Sequence, residues 1–578
     1  MQITLGPYRR SLTRYESARA YALLGVIAGV ASGLAVIGFE QAIDRVARLF
    51  GVANGGEGFE ALPPQLRFAM PVAGATLLGL LFALLREEDR ETGIVHVISR
   101  LNNSYGVLPW RNALVQFIGG ASLLASGQSG GREGPGVHLG GAATSLLGQS
   151  LSLPHNSLRV LIACGTAGGI AAAFHTPLAG VIFAMEVIIC EYTVAGFLPV
   201  MLAAVCAAAL SDQLGGGYEL FDLTGLEVAS LWDVPAIVGL GLCCGIAAAM
   251  FVNLSTRTAQ LTHWPVALRF LLAGLLTGCL GIYVPEVLGV GYDTLGDILH
   301  GHPTATALLL IAGVKLFATA ISVGLGMPLG LIGPSLLIGA CIGAFIGAVG
   351  PGHYELLSDD ASLYATIGMA ACMGAVFAAP LAATLAVIEL TQSTSVATPA
   401  MLAIVVAHLT NLTLFRQRAV HQGILRQQQR RLPDEPLSQL LHRTDISTIL
   451  DSSVVQLEER LTWAEHRALQ LQVPNWCLVS RRGEDLFLVA GGDLVRWVEN
   501  NLAGEGEDRQ VDVTTSDLRR WSIATLPEQA TLRQALDMLR KHTAEAVCIY
   551  GRSGRRRQLR GVVTLDAIER FALAQLER

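Results

Sequence analysis

The chain has 578 residues and a mass of 61.1 kDa; 52% of its residues are hydrophobic, 15% are charged, and its mean hydropathy is +0.49. Soluble domains carry about 25% charged residues, so an ordinary soluble protein, a disordered chain and a secreted disulfide scaffold are all excluded. The net charge of −6 and a pI near 6.1 give no basis for a nucleic-acid partner.

The charge is unevenly placed. Residues 415–578 hold 24 Lys and Arg and 22 Asp and Glu, about 28% of that stretch, whereas the first 414 residues carry only about 10%. The pattern is a membrane-embedded body followed by a soluble tail. Eight of the ten cysteines lie in the body and only Cys477 and Cys548 in the tail, with no CxxC pair. Structural thiols are therefore expected rather than disulfides or a metal site. Residues 1–19 are polar and Arg-rich without a small-residue cleavage site, so a cleaved signal is not expected.

Crossing a bilayer squarely takes about 20 apolar residues. Ala20–Phe39, Phe68–Leu85, Val234–Val252 and Leu268–Val284 meet or approach that length. Val137–Leu151, Leu158–Ala173, Leu178–Cys190 and Leu381–Leu390 are shorter and are bounded or broken by Gly or Pro. Short broken helices are tolerated in a membrane where protein buries them or where they line a polar cavity, and in transporters they mark the substrate site. The 63 glycines allow close helix packing in lipid. Arg9, Arg10, Arg14 and Arg19 precede the first span, and Arg416, Arg418, Arg426, Arg430 and Arg431 follow the last. By the positive-inside rule both ends are expected in the cytoplasm, with an even number of crossings.

The body repeats itself. Phe174-His175-Thr176-Pro177-Leu178-Ala179-Gly180 leads to Glu186, and Phe377-Ala378-Ala379-Pro380-Leu381-Ala382-Ala383 leads to Glu389, with nine residues from Pro to Glu in both copies. Each copy follows a Gly/Ala-rich helix and, further back, a glycine loop ending in proline: Gly131–Pro135 and Gly330–Pro334. Two halves, about 20–213 and 231–426, are expected to form a pseudo-symmetric transporter-like fold with the site at their interface. Glu186 and Glu389 are expected to share a structural helix-end role.

The sharpest motif is Gly130-Gly131-Arg132-Glu133-Gly134-Pro135-Gly136-Val137-His138. A carboxylate within a membrane is costly and usually functional. Glycine-loop amides and a helix N-terminus, worth about half a positive charge, make an anion site. Glu133 can fill such a site with its own carboxylate, which a mobile anion displaces or a proton neutralises. The plainer alternative is a capping glutamate.

These residues resemble the CLC family of chloride channels and proton/chloride exchangers. The resemblance runs from about Phe68 to Gln427 and includes, in family order, Glu91-Thr92-Gly93-Ile94-Val95, the GREGP loop, Pro285–Tyr292, Gly330-Leu331-Ile332-Gly333-Pro334 and both Phe-x-x-Pro-Leu-Ala helices. It implies an α-helical polytopic body of inverted repeats with broken helices meeting at mid-membrane, spanning 20–426. It also implies a homodimer with a separate pore in each subunit, in a bacterial plasma membrane. Glu133 is implied as the gate. Thr92, Gly93, Arg132, Gly134, Leu331, Ile332 and His421 are implied as the anion-binding set, and chloride as the ion carried. Thr92 stands where the family has a serine, and a threonine hydroxyl donates the same hydrogen bond. His421 stands where the family has a coordinating tyrosine; an imidazole can donate to chloride, or else the residue is an interfacial histidine bonded to backbone. Val187, directly after Glu186, replaces the glutamate by which the family's exchangers often pass protons on the inner side. That favours channel-like or weakly proton-coupled flux over strict antiport. His175 and Glu191 nearby are read as structural. Lys315, alone in the apolar stretch Leu308–Val323, is either a satisfied buried amine or a source of positive potential.

Residues 427–442 read as a linker, and 443–578 as two repeats of strand, helix and hairpin in α+β order. The pattern resembles a tandem CBS pair. In such pairs a Ser/Thr-x-x-Asp motif can hold a ribose. Asp493 fits the Asp position but Ala490 the hydroxyl position, while Thr564 and Asp566 lie one residue too close. A dimer-stabilising tail without a nucleotide is therefore expected. The five arginines of Arg552–Arg560 read as a solvated hairpin. No HExxH, GxSxG or Walker pattern is present, which argues against an enzyme, and no cofactor is expected.

Overall fold

A computed structural model describes residues 18–52, 57–192, 194–214, 233–300, 304–349, 361–428, 440–442, 444–481, 484–501, 510–553 and 556–576. Residues 1–17, most of the expected linker and the 215–232 join between the halves lie outside the described residues. The chain forms two compact units, a helical body and the C-terminal tail.

The first half of the body consists of α1 (Ala18–Leu49), α2 (Pro64–Leu84), α3 (Gly93–Asn103), α4 (Trp110–Ala125), α5 (Glu133–Ser150), α6 (His155–Phe174), α7 (Pro177–Phe183) and α8 (Val194–Leu214). The second half answers in the same order with α9 (Asp233–Ala259), α10 (Val266–Tyr283), α11 (Tyr292–Leu299), α12 (Ala305–Gly324), α13 (Ile332–Val349), α14 (Ala361–Phe377), α15 (Pro380–Thr391) and α16 (Ala397–Leu409). A short α17 (Val420–Gln427) follows. Among the described residues nine helices are long and apolar enough to cross a membrane.

The repeat extends to backbone detail. Left-handed residues recur at Gly127 and Gly326 before α5 and α13, at His175 and Ala378 before α7 and α15, and at Cys190 and Gln392 after them. The halves also cap each other. Glu186 follows α7 in a π-helical turn (Ala184–Ile189), and its carboxylate accepts from the Leu381 and Ala382 amides at 3.3 and 2.9 Å. Glu389, near the end of α15, accepts from the Leu178 and Ala179 amides at 2.9 and 2.8 Å. Each glutamate thus satisfies orphan donors at the start of the matching helix in the other half. The expected structural role holds, but each acts on its partner half rather than on its own helix end.

Two predicted lengths change. Leu158–Ala173 lies inside the 20-residue α6, which is buried over its length. Its polar first turn hid it from an apolar count, and its small residues serve packing against protein, not lipid. Val137–Leu151 falls almost wholly within the 18-residue α5, whose first turn holds the glycine loop's Glu133, Gly134 and Pro135. The other two elements are short: α7 has 7 residues and α15 has 12.

The tail contains the expected duplication. In the first repeat β1 (Val454–Glu458) lies parallel to β3 (Trp476–Arg481), which pairs antiparallel with β4 (Glu484–Ala490). In the second, β6 (Ile523–Pro527) is parallel to β7 (Ala546–Ser553), antiparallel to β8 (Arg556–Thr564). Helices α18 (Trp463–Leu471) and α20 (Leu532–His542) cross between the parallel strands, and α19 (Gly491–Asn501) and α21 (Leu565–Leu576) follow the hairpins. A small pair, β2 (Arg460–Thr462) with β5 (Gln510–Asp512), completes the unit. Both crossover helices open on capping boxes, Thr462 with Glu465 and Thr531 with Gln534.

His466 is buried on α18. Burial lowers its pKa below the ordinary 6.5, against a smaller opposing pull from Glu499. The folded tail therefore refuses a proton that the unfolded chain accepts. This costs nothing at neutral pH and lowers stability progressively as pH falls below about 6.5. Calorimetry of the full-length protein should show the tail transition moving down between neutral and acidic pH. His466→Leu should reduce that shift by a degree or more.

Candidate functional site

The two glycine loops meet. Gly131 N donates to Gly330 O at 2.8 Å and Gly330 N to Gly131 O at 2.7 Å, a reciprocal pair between the halves. Only glycine permits the approach. A Cβ on Gly330 would lie 2.5 Å from Gly134 N, and one on Gly134 would lie 2.6 Å from Gly330 Cα, both immovable backbone. The contact brings together the starts of α5 and α13, each a cluster of amides without intrahelical acceptors.

Glu133 is the first residue of α5 and is fully buried. Its carboxylate reaches across to the other half. One oxygen accepts from Gly333 N, in the first turn of α13, at 3.2 Å; the other accepts from the hydroxyl of Tyr292. Glu133 therefore places its carboxylate on a hydroxyl and a backbone amide of the second half. A methyl on Gly333 would come 3.0 Å from Tyr292 Oη and 3.4 Å from Glu133 Oε1, so the space is filled.

Tyr292 is held by its own loop. Lys315, fully buried on α12, donates to the carbonyls of Val287 and Gly289 at 3.1 and 2.9 Å. Gly289 is tied in turn to the first glycine loop, through Gly130 N at 3.3 Å and Gly127 O at 3.2 Å. Lys315 is thus a satisfied amine that anchors the segment ahead of Tyr292. Arg132 turns away from Glu133. Its guanidinium lies 3.4 Å from Glu40 and 5.1 Å over the Tyr292 ring. It braces Tyr292 and is not among the residues that line the cavity described next.

That cavity has a volume of about 380 Å³. Thr92, Gly93, Gly134, Leu331 and His421 all line it, so five of the sequence-selected residues come together. Arg90 and Arg269 contribute positive charge to its wall, with Glu87 and Glu91. Ile332 faces elsewhere, into a small apolar pocket with Ile170, Phe174 and Phe183; only its backbone can serve the cavity. Thr92 is the N-cap of α3 but its hydroxyl makes no capping bond. His421, at the start of α17, is buried, and its Nδ1 has no hydrogen-bond partner. A buried polar atom on a cavity wall suits an ionic occupant.

Gly93 departs from its expected role. Its amide donates to Gln116 Oε1 at 2.7 Å, and Gln116 Nε2 donates to Pro328 O at 3.0 Å. Gln116 therefore consumes the Gly93 donor and ties the Thr92 loop to the second glycine loop. Sequence reasoning missed Gln116 and gave Tyr292 no role. A lone amide in an apolar helix, and a tyrosine closing a Gly-x-Gly turn, were the available signals. Val187 is buried in the π-helical turn and carries no titratable group. Glu191 pairs with Arg159 at 3.2 Å and His175 with Asp212 at 2.5 Å, so both belong to structural pairs.

The family model for voltage gated chloride channels matches residues 74–412. The chain belongs to this CLC family. It is 34% identical over 405 residues to a protein of Ralstonia nicotianae named as a ClcB-like chloride channel, covering 67% of this chain and 92% of that one. It is 29% identical over 429 residues to the H(+)/Cl(-) exchange transporter ClcA of Vibrio cholerae, covering 71% and 92%. Among solved structures, a slow cyanobacterial Cl−/H+ antiporter superposes with a TM-score of 0.63 at 20% identity, over 71% of this chain and 97% of that one. A eukaryotic CLC transporter superposes with a TM-score of 0.57 at 20% identity, over 97% of this chain and 98% of that one. The fold is the CLC transporter fold, its helical body continuing into a small α+β tail. The protein is a membrane protein of CLC-type chloride transport, not an enzyme.

Gly330→Ala should force the two loops apart. Overpacking against backbone costs about 1–3 kcal/mol, read as a lowered melting temperature together with a loss of chloride flux of about tenfold or more.

Proposed function

We propose that Glu133 gates the chloride path and that proton coupling is weak. Chloride enters the cavity and is coordinated by Thr92, His421 and the backbone near Gly134 and Leu331. It passes upward when the Glu133 carboxylate leaves the Gly333 amide. The observation that carries this reading is the carboxylate itself, an anion fixed to the partner half's helix N-terminus. Chloride replaces it by direct competition, or a proton removes its charge and so its hold. Protons therefore open the gate. Val187 offers no carboxylate for an inner proton leg, which supports loose coupling, although relatives include both a named channel and a named exchanger.

In this reading the protein is a homodimer with one pore per subunit, in a bacterial plasma membrane with both ends cytoplasmic. The arginines flanking the body support that orientation. The tail is a CBS-like pair that stabilises the dimer. Ala490 at the hydroxyl position supports a tail that binds no nucleotide.

Chloride efflux from liposomes tests the gate. Flux through the unaltered protein should rise as the medium is acidified, because a proton on the carboxylate removes its charge. Glu133→Gln should remove that dependence and leave flux high throughout. A Glu133→Gln protein that keeps the full pH response would contradict the gating role. Tyr292→Phe removes one of the carboxylate's two donors and should raise flux severalfold at neutral pH, measured in the same assay.

A further inference from the structure

Two buried histidines form a chain that supplies no chloride ligand in this reading, although His96 borders the cavity. His96, on α3, is 2% exposed and His138, on α5, is fully buried. His96 Nδ1 and His138 Nε2 are 2.8 Å apart. Arg100 Nε donates to His96 Nε2 at 3.2 Å. Arginine has no acceptor, so Nε2 of His96 accepts and its proton sits on Nδ1. That proton is donated to His138 Nε2, which leaves the His138 proton on Nδ1. His138 Nδ1 is buried and makes no hydrogen bond. A buried N–H without an acceptor is costly, and a site that holds one needs a reason.

The outer end of the chain has the complementary arrangement. His96 Nε2 lies between a donor, Arg100, and an acceptor, Glu91 Oε2, at 3.6 Å. The neutral ring is served by Arg100 and a protonated ring by Glu91. Both Glu91 and His96 line the cavity, so this end is reached from it. Among the described residues, Glu91 and Arg100 are charged groups that face the pair. The inner end, His138, lies five residues after Glu133 on the same helix, about 7.5 Å along its axis.

We propose that Glu91, His96 and His138 form a proton relay between the cavity and the Glu133 end of α5. This supplies a slow substitute for the inner proton leg that Val187 cannot provide, in keeping with weak rather than absent coupling, and it rests on the reading of Glu133 as a protonatable gate. A proton delivered at Glu91 binds His96 Nε2. His96 passes its Nδ1 proton to His138 Nε2, and His138 releases its own Nδ1 proton towards Glu133 through water. One proton enters and one leaves. The two rings end as the opposite tautomers and reset by turning before the next passage. The rival account is that the pair merely pins α3 to α5.

His96→Gln separates the two accounts. A glutamine can accept from Arg100 and donate to His138, keeping the pin, but it cannot relay a proton. The full-length protein would be reconstituted in liposomes with a chloride gradient, and chloride and proton fluxes read together. For His138→Gln, at a position that does not line the cavity, the expected result is chloride flux within about twofold of the unaltered protein, an unchanged melting temperature, and chloride-driven proton movement reduced about tenfold or more. For His96→Gln, on the cavity wall, the readout is protons moved per chloride, which should fall by a similar factor. Proton movement per chloride that is unchanged in both variants would overturn the relay. So would an unaltered protein that carries chloride but never moves protons, which would leave the chloride reading intact. No chloride flux from the unaltered protein would instead overturn the proposed function, and the relay with it.

Discussion

A carboxylate from one half of the body rests on a backbone amide of the other, and the surrounding structure exists to make that contact possible. Glu133 reaches Gly333 only because the Gly131 and Gly330 loops exchange a pair of hydrogen bonds. That exchange in turn requires residues without a Cβ at Gly134 and Gly330. A buried anion needs compensation in a low-dielectric interior. Here it comes from amides at a helix start and from the Tyr292 hydroxyl. None of these is a full opposing charge, so the carboxylate is held but not locked.

The same logic of mutual support runs through the repeat. Glu186 and Glu389 each cap a helix in the opposite half. Gln116 links the Thr92 loop to Pro328. The short helices that would leave orphan amides in lipid are thus satisfied across the pseudo-symmetric interface, and neither half can bury its polar backbone alone.

Much of this was legible in the sequence because glycine and proline mark backbone geometry locally. The doubled Pro-to-Glu spacing announced two halves, and Gly131–Pro135 announced the loop that carries the buried Glu133. The tail's duplication was legible as two stretches with the same order of strand, helix and hairpin, while the capping boxes at Thr462 and Thr531 emerged with the structure. What stayed hidden was long-range. Tyr292 meets Glu133 across 159 residues of chain, and no local pattern specifies that pairing. The Gly93 amide read as an anion donor until Gln116 was seen to occupy it. Arg132 sits next to Glu133 in sequence, but successive helical positions do not face each other, and its side chain goes to Glu40. His96 and His138 each look like a packed polar residue in an apolar run; only the fold brings them to 2.8 Å.

The central claim is that the Glu133 carboxylate stands in an anion's place. Its most direct test is anomalous diffraction from Glu133→Gln crystals grown in bromide. The account predicts a bromide peak within hydrogen-bonding reach of Gly333 N and Tyr292 Oη, with the glutamine side chain displaced. A glutamine that keeps both contacts, with no bromide at that position, would contradict it.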